Sequence, residues 1–240
     1  MRQLAIDFPS KSTWGGRRAG AGRKPKPKGQ RGVPHAARPK HAAYHPSHIT
    51  MRAVRGAPMF RAEIPFRAVR AEIARVVREG FRITHFSVQL DHIHMIVEAG
   101  DKTAIARGIQ RLAARIAWAI NCKARRAGAL WRERYHRHDL KTPSEVRWAL
   151  VYVLMNHRKH DPIDVRGRAL TLLDPCSSAA WFTGWNARAG PLLAKLAESP
   201  QIREAGTSPP VAPAATWLAT RGWARRGLVS PSERPKSLSH

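Results

Sequence analysis

Acidic residues are scarce in this 240-residue chain. Sixteen Asp and Glu stand against 43 Lys and Arg, a formal net charge of +27. That imbalance points to a polyanionic partner, with nucleic acid first and an anionic membrane surface second. The membrane reading is poor, because the basic N-terminal stretch has no amphipathic apolar face. Cysteine is nearly missing. Cys122 and Cys176 give neither a disulfide framework nor zinc-ligand spacing, so a reducing cytoplasm is the default compartment. Long apolar runs are missing too. The longest, Trp148 to Met155, has eight residues, against the roughly 18 that a membrane span needs. The start, MRQLAIDFPSKS, lacks the apolar region of a signal peptide. Glu133 and Glu145 do not make a convincing acid pair, so glycosidase chemistry has no support. Hydrophobic residues make up 43% of the chain, enough for a core.

The chain divides by composition into three parts. Residues 1–43 read as a disordered basic arm; the first 40 hold 11 Lys or Arg, 11 Gly or Pro and one acid. Such an arm adds nucleic-acid affinity by counterion release without reading sequence, through side chains such as Arg17, Arg18, Arg23 and Lys24. Residues 44–162 carry the clearest periodicity. His48–Val54 alternates as a strand does, and Pro65–Arg78 has the apolar spacing of a helix. Phe81–Leu90 and His92–Glu98 read as strands joined tightly at Leu90-Asp91. Lys102–Asn121 reads as a helix, and Leu130–Leu140 as a strand. Thr142-Pro143-Ser144-Glu145 then opens a helix predicted to run to about His160, with Thr142 as N-cap. The order is strand, helix, strand, strand, helix, strand, helix. It predicts an α+β fold: a ferredoxin-like split βαβ antiparallel sheet with two helices on one face and the extra helix free to pack on the other. Residues 163–240 read as a partly ordered extension containing four of the eight tryptophans, with 199–215 as a linker and a loose last ten residues.

His92 and His94 flank Ile93 on the third strand, so both imidazoles stand on one sheet face and make a divalent-metal pair. Tyr152 and Asn156 lie four apart on the last predicted helix and share a face beside its apolar stripe of Val146, Leu150, Val153 and Leu154. A phenol is a weak nucleophile at neutral pH. A divalent metal held by two His and an amide oxygen can polarise a phosphate for attack by it. Arg132, Arg134, His136 and His138 alternate along the fourth strand, which would give one phosphate-contacting face. Arg107, Arg111 and Arg115 repeat every four residues on the second helix, where a solvated face is the simpler reading.

LDHIHMIVE resembles the His–hydrophobic–His strand of the HUH single-tyrosine transposases, and within them the REP-associated tyrosine transposases of the IS200-like family. ALWRERYHRHDLKTPSEVRWALVYVLMNHRKH resembles that family's Trp-containing strand followed by its catalytic helix. The resemblance covers roughly residues 44–162. It implies that Tyr152 is the nucleophile and that His92, His94 and Asn156 hold Mg²⁺ or Mn²⁺. It further implies single-stranded or hairpin DNA, folded from palindromic repeats, as partner and substrate. Cleavage would leave a 5′-phosphotyrosine link and a free 3′-hydroxyl. The chain departs from many relatives at His157, where they carry Pro.

The expected function is thus cleavage and rejoining of single-stranded DNA by metal-assisted tyrosine transesterification, by a monomer or homodimer, in the cytoplasm at the nucleoid. The competing reading is a non-catalytic nucleic-acid binder on the same scaffold, which would have no need of His92, His94, Tyr152 and Asn156 together. A replication initiator or relaxase is a third reading, but relaxases place the Tyr before the His strand, and here it follows.

Overall fold

The computed structural model describes residues 39–76, 80–159, 173–205 and 208–235. The chain divides into residues 1–35 and 36–240. Arg17, Arg18, Arg23 and Lys24 lie outside the described residues. Part of the stretch assigned to the arm is tied down, however: His41 meets Asp139 Oδ1 and the Ala99 carbonyl, each at 3.2 Å.

Four strands form one antiparallel sheet: β1 (Ser47–Arg52), β2 (Phe81–Val88), β3 (His92–Ala99) and β4 (His136–Asp139), in the order β2-β3-β1-β4. This is the expected split βαβ sheet. Period-two alternation sends Ile49, Met51, Ile93, Met95 and Val97 to one face, where they are buried. Helices α1 (Glu63–Val76) and α2 (Lys102–Lys123) cover that face through Phe66, Val69, Ile73, Ile105, Ile109, Leu112 and Ile116. Asp101 caps α2 by accepting the N–H groups of Thr103 and Ala104 at 2.7 Å. Glu72, buried on α1, pairs with Arg75 and with Arg115 of α2. Arg115 therefore joins two helices, while Arg107, Arg111 and Arg115 all stay exposed, as a solvated face requires.

A bulge interrupts β2. Ile83 pairs with Val97, but His85 pairs with Ile96, so Thr84 is an extra residue. The odd-numbered Phe81 and Ile83 and the even-numbered Phe86 and Val88 can then all bury on the helix side.

The fourth strand is shorter than Leu130–Leu140. Thr50 lies opposite His136, whereas Ala53 bridges to Trp131. Two residues, Met51 and Arg52, thus face four, 132–135, of the other chain segment. Trp131 sets this offset, because its indole Nε1–H donates to the Ala113 carbonyl at 2.9 Å and its ring meets Phe60 edge-on. Arg132 N–H still donates to the Arg52 carbonyl at 2.9 Å, but residues 133–135 leave the ladder, and the uniform basic face expected of Arg132, Arg134, His136 and His138 does not form.

Helix α3 (Pro143–Leu154) packs on the other face of the sheet, around Ile96. Its capping box is the expected one: Glu145 N–H donates to Thr142 Oγ1 at 3.2 Å, and the Thr142 N–H to Glu145 Oε2 at 2.9 Å. The helix stops well before His160. Met155 leaves the helical region at φ −114°, ψ 12°, and Asn156–Lys159 forms a single 3₁₀ turn.

The C-terminal extension is fastened to this core by charge. Asp174 takes a bidentate bond from Arg61 at 2.8 and 2.9 Å. Glu98 on β3 accepts the N–H groups of Ala215 and Thr216 and the Thr216 hydroxyl at 2.7–2.9 Å. Arg147 on α3 holds Glu233 at 2.8 and 2.9 Å. Of the stretch read as a linker, Pro200–Arg203 forms α5, after α4 (Gly190–Ala197), and Ala212 N–H donates to the Ile83 carbonyl. Leu218 and Trp223 are the buried anchors, while Trp217 and Leu228 remain half exposed.

Candidate active site

Strand register assembles the site. In β3, His92 and His94 alternate with Ile93 and Met95, so the two imidazoles share the face turned away from α1 and α2. Cross-strand neighbours share a face. Arg52 stands opposite His92, Thr50 opposite His94 and His136, and His48 opposite His138. His48, Thr50, Arg52, His92, His94 and His136 join Glu133 and Tyr152 around one cavity of about 530 Å³.

The two imidazoles are fixed at one nitrogen each. His92 Nδ1 meets Asp91 Oδ1 at 2.6 Å, and His94 Nδ1 meets Thr50 Oγ1 at 3.1 Å. Their rings lie 4.7 Å apart and nearly perpendicular. An oxygen on Nδ1 sets ring orientation and raises the basicity of Nε2, the usual second-sphere arrangement of metal-binding histidines. The hydrogen bond from His92, with the charges of His92 and Arg52, holds the Asp91 carboxyl below the ordinary carboxylate range against the effect of burial. Arg52 Nε lies 3.8 Å from the same carboxylate.

Tyr152 reaches this face from α3. The apolar stripe of that helix, with Val146, Leu150, Val153 and Leu154, is buried, and Val151 and Met155 are buried as well. Tyr152 sits half-buried at the border. Its ring meets His94 edge-on at 5.0 Å and His48 edge-on at 5.5 Å. Burial pushes its phenol above the usual value, opposed by the charge of Arg52. The group is therefore protonated at neutral pH and must lose its proton as it attacks.

Asn156 is not among the residues lining the cavity. It follows the end of α3 at Leu154, as the first residue of the 3₁₀ turn Asn156–Lys159. The residue is 1% exposed, and its carboxamide has no hydrogen-bond partner among the described residues. Buried amides without partners are rare. Of the expected phosphate-contacting residues, His136 reaches the cavity, 3.4 Å from Glu133. Arg134 lines a different cavity, and exposed Arg132 lines neither.

Four residues that line the cavity, His48, Thr50, Arg52 and Glu133, escaped the sequence reading. His48 stacks on His94 at 5.3 Å, and Thr50 holds that ring. Their signal was the alternation of HITMRAV, which carries His48, Thr50 and Arg52 on one face once β1 is paired beside β3. Among the described residues no group of three or more His, Cys, Asp or Glu side chains is placed to hold a metal ion. A divalent ion here would need the His pair plus a neutral oxygen ligand, and the donor chemistry of His92, His94 and Asn156 fits that description.

Residues 45–152 match the model of the IS200-like transposases. A comparison with curated proteins found no match. Among solved structures, one similar chain is a REP-associated tyrosine transposase bound to a REP hairpin. It is 18% identical, aligned over 53% of this chain and 74% of its own, with a TM-score of 0.45. The family match begins just before β1 and ends at Tyr152 itself, enclosing the sheet, both covering helices and the His pair; over residues 45–152 the chain is similar to the IS200-like transposases.

Proposed function

We propose that this chain is a transposase that cleaves and rejoins single-stranded DNA through Tyr152. The observation that carries the reading is the meeting of Tyr152 with His92 and His94 in one open, basic-walled cavity. Tyr152 Oη attacks the scissile phosphorus. A Tyr–O–P bond forms, the P–O3′ bond breaks, and the departing strand carries a 3′-hydroxyl that ends with the proton the phenol gives up. The phosphodiester energy is retained in the 5′-phosphotyrosine link, so a second 3′-hydroxyl can reverse the step without ATP. His94 and His48 pack on the Tyr152 ring and orient it, and Arg52 favours its ionised form. His92, His94 and the Asn156 amide oxygen would hold Mg²⁺ or Mn²⁺, which when bound would polarise the phosphate and stabilise the leaving oxygen. Hairpin-forming repeats are the proposed substrates, bound as an ionic-strength-dependent complex by a chain of charge +27.

The test uses labelled single-stranded DNA that carries a hairpin from the repeats flanking this gene, incubated with protein and Mg²⁺ or Mn²⁺. Denaturing gels should show a covalent adduct that EDTA and Tyr152→Phe each abolish. Tight hairpin binding with no adduct and no cleavage in either metal would favour the binding-only alternative.

A further inference from the structure

The offset between β1 and β4 has a consequence beyond shortening a strand. Residues 133–135, off the ladder, wall a second cavity of about 220 Å³ between β1 and α2. Its base is Met51 and Ile109, both buried. Its sides include the rings of Trp131 and Tyr135, and Gln110 and Arg134 stand at its exposed edge. Trp131 is a rigid wall, with its one polar atom already bonded to the Ala113 carbonyl and its ring braced on Phe60. Gln110 offers a donor and an acceptor, matching the mixed edge of a nucleobase. Arg134 supplies charge for a neighbouring phosphate. The two cavities adjoin, because Glu133 lines both.

We propose that this second cavity is a nucleobase pocket. It takes one unstacked base from the DNA strand whose phosphate meets Tyr152, and so fixes which phosphodiester lies under the phenol. The proposal rests on the transesterase reading above. The chemistry of the walls favours this occupant. Planar apolar sides with one amide at the edge suit a flat heteroaromatic ring, and stacking of single-strand bases on aromatic side chains is tolerant of sequence. Extrusion of a base near the reacting position is also how enzymes acting on nucleic acid reach a strand. The volume admits a base but not a base pair, which selects for single strands.

The test places 2-aminopurine at each position, in turn, of the single-stranded flank of a DNA hairpin. Each probe is bound to the full-length Tyr152→Phe chain, with binding followed separately by anisotropy. Quenching concentrated at one flank position, at least about twofold stronger than at its neighbours, is expected. It should vanish in the Ala106→Phe background, which fills the pocket from α2. Gln110→Ala, at an exposed helix position, keeps the packing intact and should reduce the preference among bases at that position about tenfold, or ~1.4 kcal/mol. Uniform quenching along a flank that binds, or a position-specific quench that survives Ala106→Phe in a folded protein, overturns the pocket alone. Failure of the hairpin to bind at all overturns the reading beneath it as well.

Discussion

Arg61→Ala probes how the extension is attached. The Arg61 guanidinium donates to both carboxylate oxygens of Asp174 at 2.8 and 2.9 Å and to the Val88 carbonyl at 2.9 Å. The Asp174 side chain is fully buried and also accepts the Cys176 N–H at 2.9 Å. Truncating Arg61 leaves a buried carboxylate with its counter-charge gone, a change that costs about 3–5 kcal/mol. Arg61 is 28% exposed, so water can enter the gap, and the lower end, about 3 kcal/mol, is expected. For a chain of this size that is a fall of roughly 6–12 °C in Tm. Arg61→Ala/Asp174→Asn keeps an acceptor for the Cys176 N–H but removes the charge, and should recover at least about 1 kcal/mol. Urea unfolding followed by tryptophan emission measures both, the midpoint moving with little change in slope. A double variant no more stable than Arg61→Ala would refute the buried-charge reasoning. The pair also matters for the sheet edge. It positions residues 176–178, whose Cys176 carbonyl and Ser178 N–H bond to Val88 and Phe86 and so cover β2.

Other outcomes follow from single groups. Thr50→Val removes the oxygen on His94 Nδ1 and should raise the metal concentration needed for half-maximal adduct formation about 10–100-fold, read from Mn²⁺ titrations; an unchanged requirement would separate Thr50 from metal binding. Burial lowers His85 from 6.5 to about 4. As pH falls from 6.5 towards 4, the unfolded chain takes up a proton that the folded one refuses, and stability declines by up to ~3 kcal/mol. Urea midpoints at pH 7 and pH 4.5 should therefore differ less for His85→Gln than for the parent chain, and equal differences would remove His85 from the pH response. Burial, with Asp174 nearby, pushes the Cys176 thiol up to about 12, while Cys122 is exposed. Iodoacetamide at pH 8 should label Cys122 and spare Cys176 until the chain unfolds; double labelling of the native chain would contradict the burial.

The regular parts of the fold were legible because their patterns are local. Alternation marked β1 and β3, 3.6-residue spacing marked α1 and α2, and Thr142 with Glu145 marked the start of α3. The irregularities depend on partners distant in sequence. The Thr84 bulge arises from fitting two incompatible apolar phases onto one sheet face. The shortened β4 follows from Trp131 anchoring to Ala113, which no pattern within LWRERYHRHDL reveals. Helical spacing alone carried α3 to about His160, past its true end at Leu154. His48 went unnoticed because a single strand histidine carries no signal until its neighbour is known to be the His92/His94 strand. The Pro- and Ala-rich stretch after residue 199 looked like a linker, yet Glu98, far away in sequence, holds Ala215 and Thr216.

Three tyrosines offer a decisive comparison: exposed Tyr44, Tyr135 beside the second cavity, and Tyr152 between the histidines. Covalent adducts formed on hairpin DNA in Mn²⁺ can be digested with nuclease and protease and the modified peptide sequenced by mass spectrometry. The account predicts a nucleotide 5′-phosphate on Tyr152 alone. A phosphonucleotide on Tyr135 or Tyr44, or an adduct that persists in Tyr152→Phe, would contradict it.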